Sequence, residues 1–310
     1  MSDKSSLTKA APAARAEAPA PEGPPAFGSS VLAVIALAWL AAMMWSSHAE
    51  ITSGEGTLAI TSAAMSLPTV ISAGLVAGAA ASLAVGHLLR RLRAPLRFAA
   101  AVAAGLLVGV VAAIVVISSY GGGEASTVLA GTVAAAVTAG GALAAIRARA
   151  VAGAIVTAGL VVFAVEQVLD NFQPNLMSLY GSRDDPSSRL SASGWSALTI
   201  AVCTGLAAGL VAFFYLRRAA RRAGDGTVPP KWPAYAIAGA GPGLLLVAAE
   251  FIIRTLGADV LALAGSVSEA DATAQQMMDS SRVNNALVVL FVGAIVAIIA
   301  FGRTLPRSRS

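Results

Sequence analysis

The chain has 310 residues, of which 57% are hydrophobic and 12% are charged, with a net charge of +5. A soluble domain carries about 45–50% apolar and about 25% charged residues, because its surface must stay hydrated. The composition therefore excludes a soluble enzyme and a disordered chain, and a single cysteine, Cys203, excludes a disulfide scaffold.

In chain order, a tail at 1–26 is rich in Ala, Pro and Ser and predicts a disordered segment. A transmembrane helical domain follows at 27–302, and a short basic tail occupies 303–310. Eight segments are long and apolar enough to cross about 30 Å of hydrocarbon. They are 27–45, 67–89, 98–120, 125–146, 150–169, 195–216, 234–253 and 286–302. We therefore predict an all-α bundle of eight spans.

The distribution of basic residues predicts the orientation of these spans. Of the 21 Lys and Arg residues, 17 fall on the side of the bundle that also holds both termini. Because Lys- and Arg-rich loops stay in the cytoplasm, we predict a multi-pass plasma-membrane protein with both termini cytoplasmic. The abundance of arginine indicates a bacterial inner membrane. The basic residues stand in short clusters between apolar runs, with no basic domain, which argues against a nucleic-acid partner.

Two outer loops contain local signals. Residues 266–269 read Ser-Val-Ser-Glu, a capping box that predicts a short helix ending at Met278 within the loop 254–285. Asp184 and Asp185 precede a proline in the loop 170–194, and we interpret them as a solvated acidic turn. Among the aromatic residues, most mark the span ends, as interfacial rings do, but Trp39 is placed in the middle of the first span.

The second half of the chain contains a candidate internal repeat. Residues 159–166 and 243–250 each begin with Gly and end with Glu, 84 positions apart, in the hairpins 150–218 and 234–303. Duplication of a hairpin would give a parallel repeat of the kind found in transporters. The alternative is chance, because Ala, Gly, Leu and Val dominate the whole chain. The aligned glutamates, Glu166 and Glu250, are the informative match.

These two glutamates are the first candidates for a site, since burying charge in lipid costs several kcal/mol. Glu166 is followed by Asp170, and Glu250 by Arg254, each four residues later on the same helix face. One hypothesis is that Glu166 and Glu250 face an outer vestibule and bind a cation or a proton. The alternative is that Glu250 and Arg254 form a local ion pair while Glu166 and Asp170 reach outer water.

Pro242 is a second candidate. It follows Gly239-Ala240-Gly241 and removes the hydrogen bond to the carbonyl of residue 238. A helix broken here would expose backbone groups to a binding site, as in many transporters. The alternative is a proline that neighbouring helices accommodate.

Other candidates are weak. His48, His87 and Cys203 are isolated and predict no metal site. We found no Walker, His-Glu-x-x-His or Gly-x-Ser-x-Gly motif, so the sequence favours a non-enzymatic protein without a cofactor. Gly-x-x-x-Gly occurs four times, close to the number that 30 glycines give by chance, and identifies no dimer face.

Two hypotheses for the function remain. The first is transport or permeation of a small cationic or proton-coupled solute, with a site at Glu166, Glu250, Arg254 and Pro242. The alternative is a non-catalytic membrane partner that stabilises an envelope complex. Few polar residues in the first four spans favour the partner, whereas the paired glutamates favour transport. Convergence of Glu166, Glu250 and Arg254 on a water-accessible cavity would decide between them.

Overall fold

The computed structural model describes residues 28–53, 57–89, 93–120, 124–144, 149–183, 185–223, 230–258 and 269–304. Within these residues the chain forms nine helices. They are α1 (Ser29–Ser53), α2 (Thr57–Leu88), α3 (Ala94–Tyr120), α4 (Glu124–Ala144), α5 (Arg149–Asn171), α6 (Gln173–Leu179), α7 (Pro186–Ala223), α8 (Trp232–Leu256) and α9 (Glu269–Gly302). All except α6 contain a segment long and apolar enough to cross a membrane, which confirms the eight predicted spans. The predicted tail at 1–26 lies outside the described residues.

The two ends of the bundle carry different residues. Arg93 precedes α3, Arg149 begins α5, and Arg217 lies near the end of α7. Arg303 directly follows α9, whose Phe301 packs on Tyr235 in the first turn of α8. We call this end, with its arginines, the arginine end. The opposite end, where Glu166, Asp170 and Glu250 lie, is called the cavity end.

The central helix is α2. Its spanning segment is 83% buried inside the bundle, against 28% for the spanning segments of α1 and of α3. It packs against α1, α3, α4, α5 and α8, while α7 packs against α5, α8 and α9. Its small residues, mostly Ala and Gly at 73–81, let neighbouring helices approach closely. By contrast, Leu107, Val111 and Ile114 of α3 are exposed, as expected of a lipid-facing helix.

All four Gly-x-x-x-Gly pairs pack inside this chain. Those beginning at Gly74 and Gly105 lie against α4, and those beginning at Gly205 and Gly239 lie against α9. At each pair, an added methyl group would press on side chains or backbone of the facing helix. The pairs therefore serve helix packing within the chain.

The helices are longer than the predicted spans. α1 continues to Ser53 and α2 begins at Thr57, so most of the predicted loop 46–66 is helical. The predicted short helix ending at Met278 is wrong, because α9 runs without interruption from Glu269 to Gly302. No Gly or Pro lies between Glu269 and Gly293, so nothing in the sequence stops the helix at Met278. Residues 266–268 of the predicted capping box lie outside the described residues.

Asp185 caps α7, which refines the expected acidic turn. The backbone N–H of Ser188 donates to Asp185 Oδ2 at 2.9 Å, and the Ser187 hydroxyl donates to the same oxygen at 2.7 Å. Proline at the first helical position suits this start, since its missing N–H needs no partner there. The Ser187 hydroxyl and the Ser188 amide lower the pKa of Asp185 from 3.8 to about 2. Asp184 lies outside the described residues.

Removal of this cap is expected to fray the first turn of α7. In Asp185→Ala the amide of Ser188 loses its acceptor, so its hydrogen exchange should become severalfold faster, while Asp185→Asn should retain most of the protection. Because folding lowers the pKa, the stabilisation is present above pH 3.8 and is lost as the pH falls towards 2. Exchange measured by mass spectrometry between pH 4 and 2 tests this. An unchanged rate in Asp185→Ala would contradict it.

Candidate functional site

A cavity of about 330 Å³ lies among the ends of six helices at the cavity end. Its wall comes from α1, α2, α5, α7, α8 and α9, with Gln173 of α6 at the rim. Both predicted glutamates, Glu166 and Glu250, line it, as do Asp170 and Arg282. The cavity therefore brings together residues that are more than 100 positions apart in the chain.

One wall is acidic. Glu166 and Asp170 lie four residues apart on α5, and both face the cavity together with the amides of Gln167 and Gln173. Within the described ranges, no Lys or Arg stands at ion-pair distance from either carboxylate. The acidic wall thus presents two carboxylates that have no counter-cation in the described part of the chain.

Another part of the wall holds a glutamate that is bound by two arginines. Glu250 is only 5% exposed, and each of its oxygens accepts a hydrogen bond from a different arginine. Arg254 Nε lies 3.0 Å from Oε1, and Arg282 Nε of α9 lies 3.2 Å from Oε2. The ion pair therefore ties α8 to α9; Arg282 lines the cavity, whereas Arg254, which was predicted to belong to the site, does not.

The inner part of the cavity is apolar. The rings of Trp39 and Phe163 stack with centroids 6.1 Å apart and planes 4° apart, and Val162, Ile200 and Leu246 complete the floor. Trp39 stands at the middle of the spanning segment Ser29–Ala49, so the cavity reaches towards the centre of the bundle. Trp39 Nε1 is buried and has no hydrogen-bond partner among the described residues. The mid-span tryptophan noted in the sequence, Trp39, is thus part of the cavity floor.

Pro242 lies deeper and does not line this cavity. It faces a separate void of about 10 Å³, close to the volume of one water probe, which shares Ser72 and Phe163 with the cavity. Of the two interpretations of Pro242, the broken helix is wrong and the accommodated proline is confirmed, because α8 is helical without interruption from Trp232 to Leu256. Close packing accommodates the proline: Gly241 lies against Ile155, and Gly243 lies against the backbone of Leu290.

An aromatic layer separates these spaces from the arginine end. Tyr235 packs on Phe301 with centroids 4.7 Å apart and on Phe213 at 5.8 Å. Tyr215, also buried, fills the space left by Gly153 of α5. The bundle is therefore open at the cavity end, and this aromatic layer lies between the cavity and the arginine end.

The remaining sequence candidates lie outside the cavity. His48 is near the end of α1 and His87 is in the last turn of α2, at opposite ends of the bundle. Cys203 is half-buried in α7. In the part of the chain that the structure describes, no group of three His, Cys, Asp or Glu residues is arranged to hold a metal ion.

The sequence missed Arg282 and the aromatic floor. Arg282 falls in a predicted loop, where no helical spacing relates it to Glu250. Its one signal is its place among the four basic residues predicted outside the cytoplasm, since an arginine there needs a reason other than topology.

Comparisons with protein-family models, with curated proteins and with solved structures find no match.

Proposed function

We propose that the protein is a permease-type membrane bundle that binds a small organic cation in the cavity. The observation that carries the proposal is that Glu166 and Asp170 face the cavity with no Lys or Arg of the described residues at ion-pair distance. Two close carboxylates repel one another, and a bound cation relieves that repulsion. Phe163 lies on the same helix, one turn before Glu166, and its stack with Trp39 offers an aromatic surface on which an alkylammonium group is stabilised.

The size and lining favour an organic cation over a bare metal ion. A volume of about 330 Å³ is within the range of small-molecule sites, which are mostly apolar with a few oriented polar groups. A metal ion held by two carboxylates would leave the apolar floor unused. An anion is disfavoured because Glu166 and Asp170 would repel it, while Arg282 already binds Glu250.

The closed arginine end supports a transport role. In this proposal the cavity is one of two access states, and passage requires the layer of Tyr235, Phe213 and Phe301 to open. Pro242 is well placed for such a movement, because α8 lacks one backbone hydrogen bond between the cavity and this layer. The hairpin repeat also stays a prediction; its two aligned glutamates lie on the same cavity.

Choline and its neutral isostere 3,3-dimethylbutan-1-ol test the proposal. Calorimetry on the purified protein in neutral detergent should detect choline and not the alcohol. The variant Glu166→Gln/Asp170→Asn should bind choline at least about tenfold more weakly, the equivalent of about 1.4 kcal/mol. Asp185→Asn removes a carboxylate outside the cavity and is the matched control, with unchanged affinity expected.

Three outcomes would contradict the proposal. Equal binding of the alcohol would show that charge is not recognised. Undiminished choline binding by the double variant would show that the acidic wall is not the site. Binding without counterflow of labelled choline in proteoliposomes would exclude choline transport and favour the alternative hypothesis of a non-catalytic membrane partner.

A further inference from the structure

A second concave surface lies between α7 and α9 at the arginine end. It encloses about 680 Å³ and is broadly open to the side of the bundle. Its apolar part includes three strongly exposed side chains: Phe214 is 60%, Ile299 54% and Leu210 43% exposed. The full lining is Leu210, Phe213, Phe214, Arg217, Val296, Ile299, Ala300, Arg303 and Thr304. We call this surface the α7–α9 groove.

Two arginines from different helices flank one end of the groove. Arg217 lies over the ring of Phe213 with its guanidinium carbon 5.8 Å from the centroid, and Arg303 follows the last turn of α9. Within the described ranges neither arginine forms an ion pair with an acidic side chain. Next to them, Arg218, Arg221 and Arg222 form a second cleft with Phe214 and Arg217. The groove is thus apolar along its length and cationic at one end.

We propose that the α7–α9 groove binds one anionic phospholipid of the surrounding leaflet. Its phosphate lies between Arg217 and Arg303, and its acyl chains lie along Leu210, Phe214 and Ile299. Guanidinium groups pair with phosphate through two parallel hydrogen bonds, and basic pockets between spanning helices suit such headgroups. A free phosphate would use the arginines alone and leave the exposed apolar trough uncovered.

The backbone at the end of α9 does not favour an anion, so binding of the phosphate depends on the two arginines. α9 ends at Gly302, so its last carbonyl groups place partial negative charge beside the proposed phosphate site. This charge disfavours an anion, and the attraction must come from the guanidinium groups. Loss of both arginines should therefore remove the preference for anionic lipid, whereas loss of arginines elsewhere at this end should not.

Native mass spectrometry of the protein in neutral detergent tests this proposal with phosphatidylglycerol and phosphatidylcholine. The wild type should retain phosphatidylglycerol preferentially. Arg217→Gln/Arg303→Gln should retain roughly thirtyfold less, from the attraction expected of two basic residues near a lipid surface. Arg93→Gln/Arg97→Gln removes the same charge at the start of α3, outside the groove, and should behave as wild type.

Two further measurements distinguish binding of a lipid from binding of another anion. Ile299→Trp keeps both arginines but fills the exposed trough, so it should also lose phosphatidylglycerol. Glycerol 1-phosphate should not displace the lipid. Equal retention of phosphatidylcholine, full displacement by glycerol 1-phosphate, or an equal loss in the α3 variant would each overturn the proposal.

Discussion

Glu250→Gln is expected to destabilise the bundle by about 3 kcal/mol, the lower end of the cost of breaking a buried ion pair. The substitution leaves two guanidinium groups facing a neutral amide at a position that is 5% exposed. Since the side chains of Arg254 and Arg282 are 49% and 29% exposed, water offsets part of the loss. The apparent melting temperature of the purified protein in detergent, followed by tryptophan fluorescence, measures the effect.

Glu166→Gln is the matched control for this prediction. It makes the same chemical change in the same cavity, but Glu166 has no arginine partner among the described residues. Its removal also relieves repulsion with Asp170, so unfolding should be unaffected or shifted to a higher temperature. Equal destabilisation by both variants would contradict the assigned ion pairs. The variant Glu250→Leu/Arg282→Leu should recover part of the lost stability, because an apolar pair replaces the contact between α8 and α9 while the half-exposed Arg254 stays in contact with water.

The sequence predicted the part of this site that is local. Glu250 and Arg254 lie four residues apart on one helix, so their pairing follows from helical geometry alone. Arg282 is 32 positions away, and its contact with Glu250 depends on how α8 packs against α9. No pattern in the sequence specifies that packing, which is why only half of the ion-pair cluster was predicted.

The same distinction applies to the fold. The eight spans were predictable because apolar length is a property of each segment by itself. An outer vestibule faced by Glu166 and Glu250 was one of two hypotheses, but its floor was not predictable, since it requires Trp39 of α1 to stack on Phe163 of α5. Helix ends outside the hydrocarbon were also missed, because α9 extends through a polar segment that hydropathy reads as a loop.

Gly140→Ala is expected to destabilise the protein by about 1–3 kcal/mol, although alanine is the better helix former. The backbones of α2 and α4 touch at this crossing: a methyl group on Gly140 would meet the carbonyl of Leu75, and one on Gly78 would meet that of Val137. Backbone cannot move aside as a flexible side chain can, so the two helices must separate. Overpacking of this kind costs about 1–3 kcal/mol and occasionally more.

Two other glycines provide control substitutions that should stabilise the protein. A methyl group at Gly131 of α4 or at Gly86 of α2 would meet nothing within 4 Å. Gly131→Ala and Gly86→Ala should therefore raise the free energy of unfolding by up to about 1 kcal/mol through the higher helix propensity of alanine, and the melting temperature should rise with it. Destabilisation by these controls as large as that in Gly140→Ala would argue against a specific crossing contact.

The crossing also bears on the cavity, because α2 contributes Pro68, Thr69 and Ser72 to its wall. If α4 displaces α2, these residues shift relative to the acidic wall on α5. Gly140→Ala should then weaken choline binding as well as stability, while Gly131→Ala leaves binding unchanged. Weakened binding in Gly140→Ala, measured where the variant is still folded, would separate a displaced helix from simple unfolding. Full affinity in that variant would mean that α2 holds its position independently of α4.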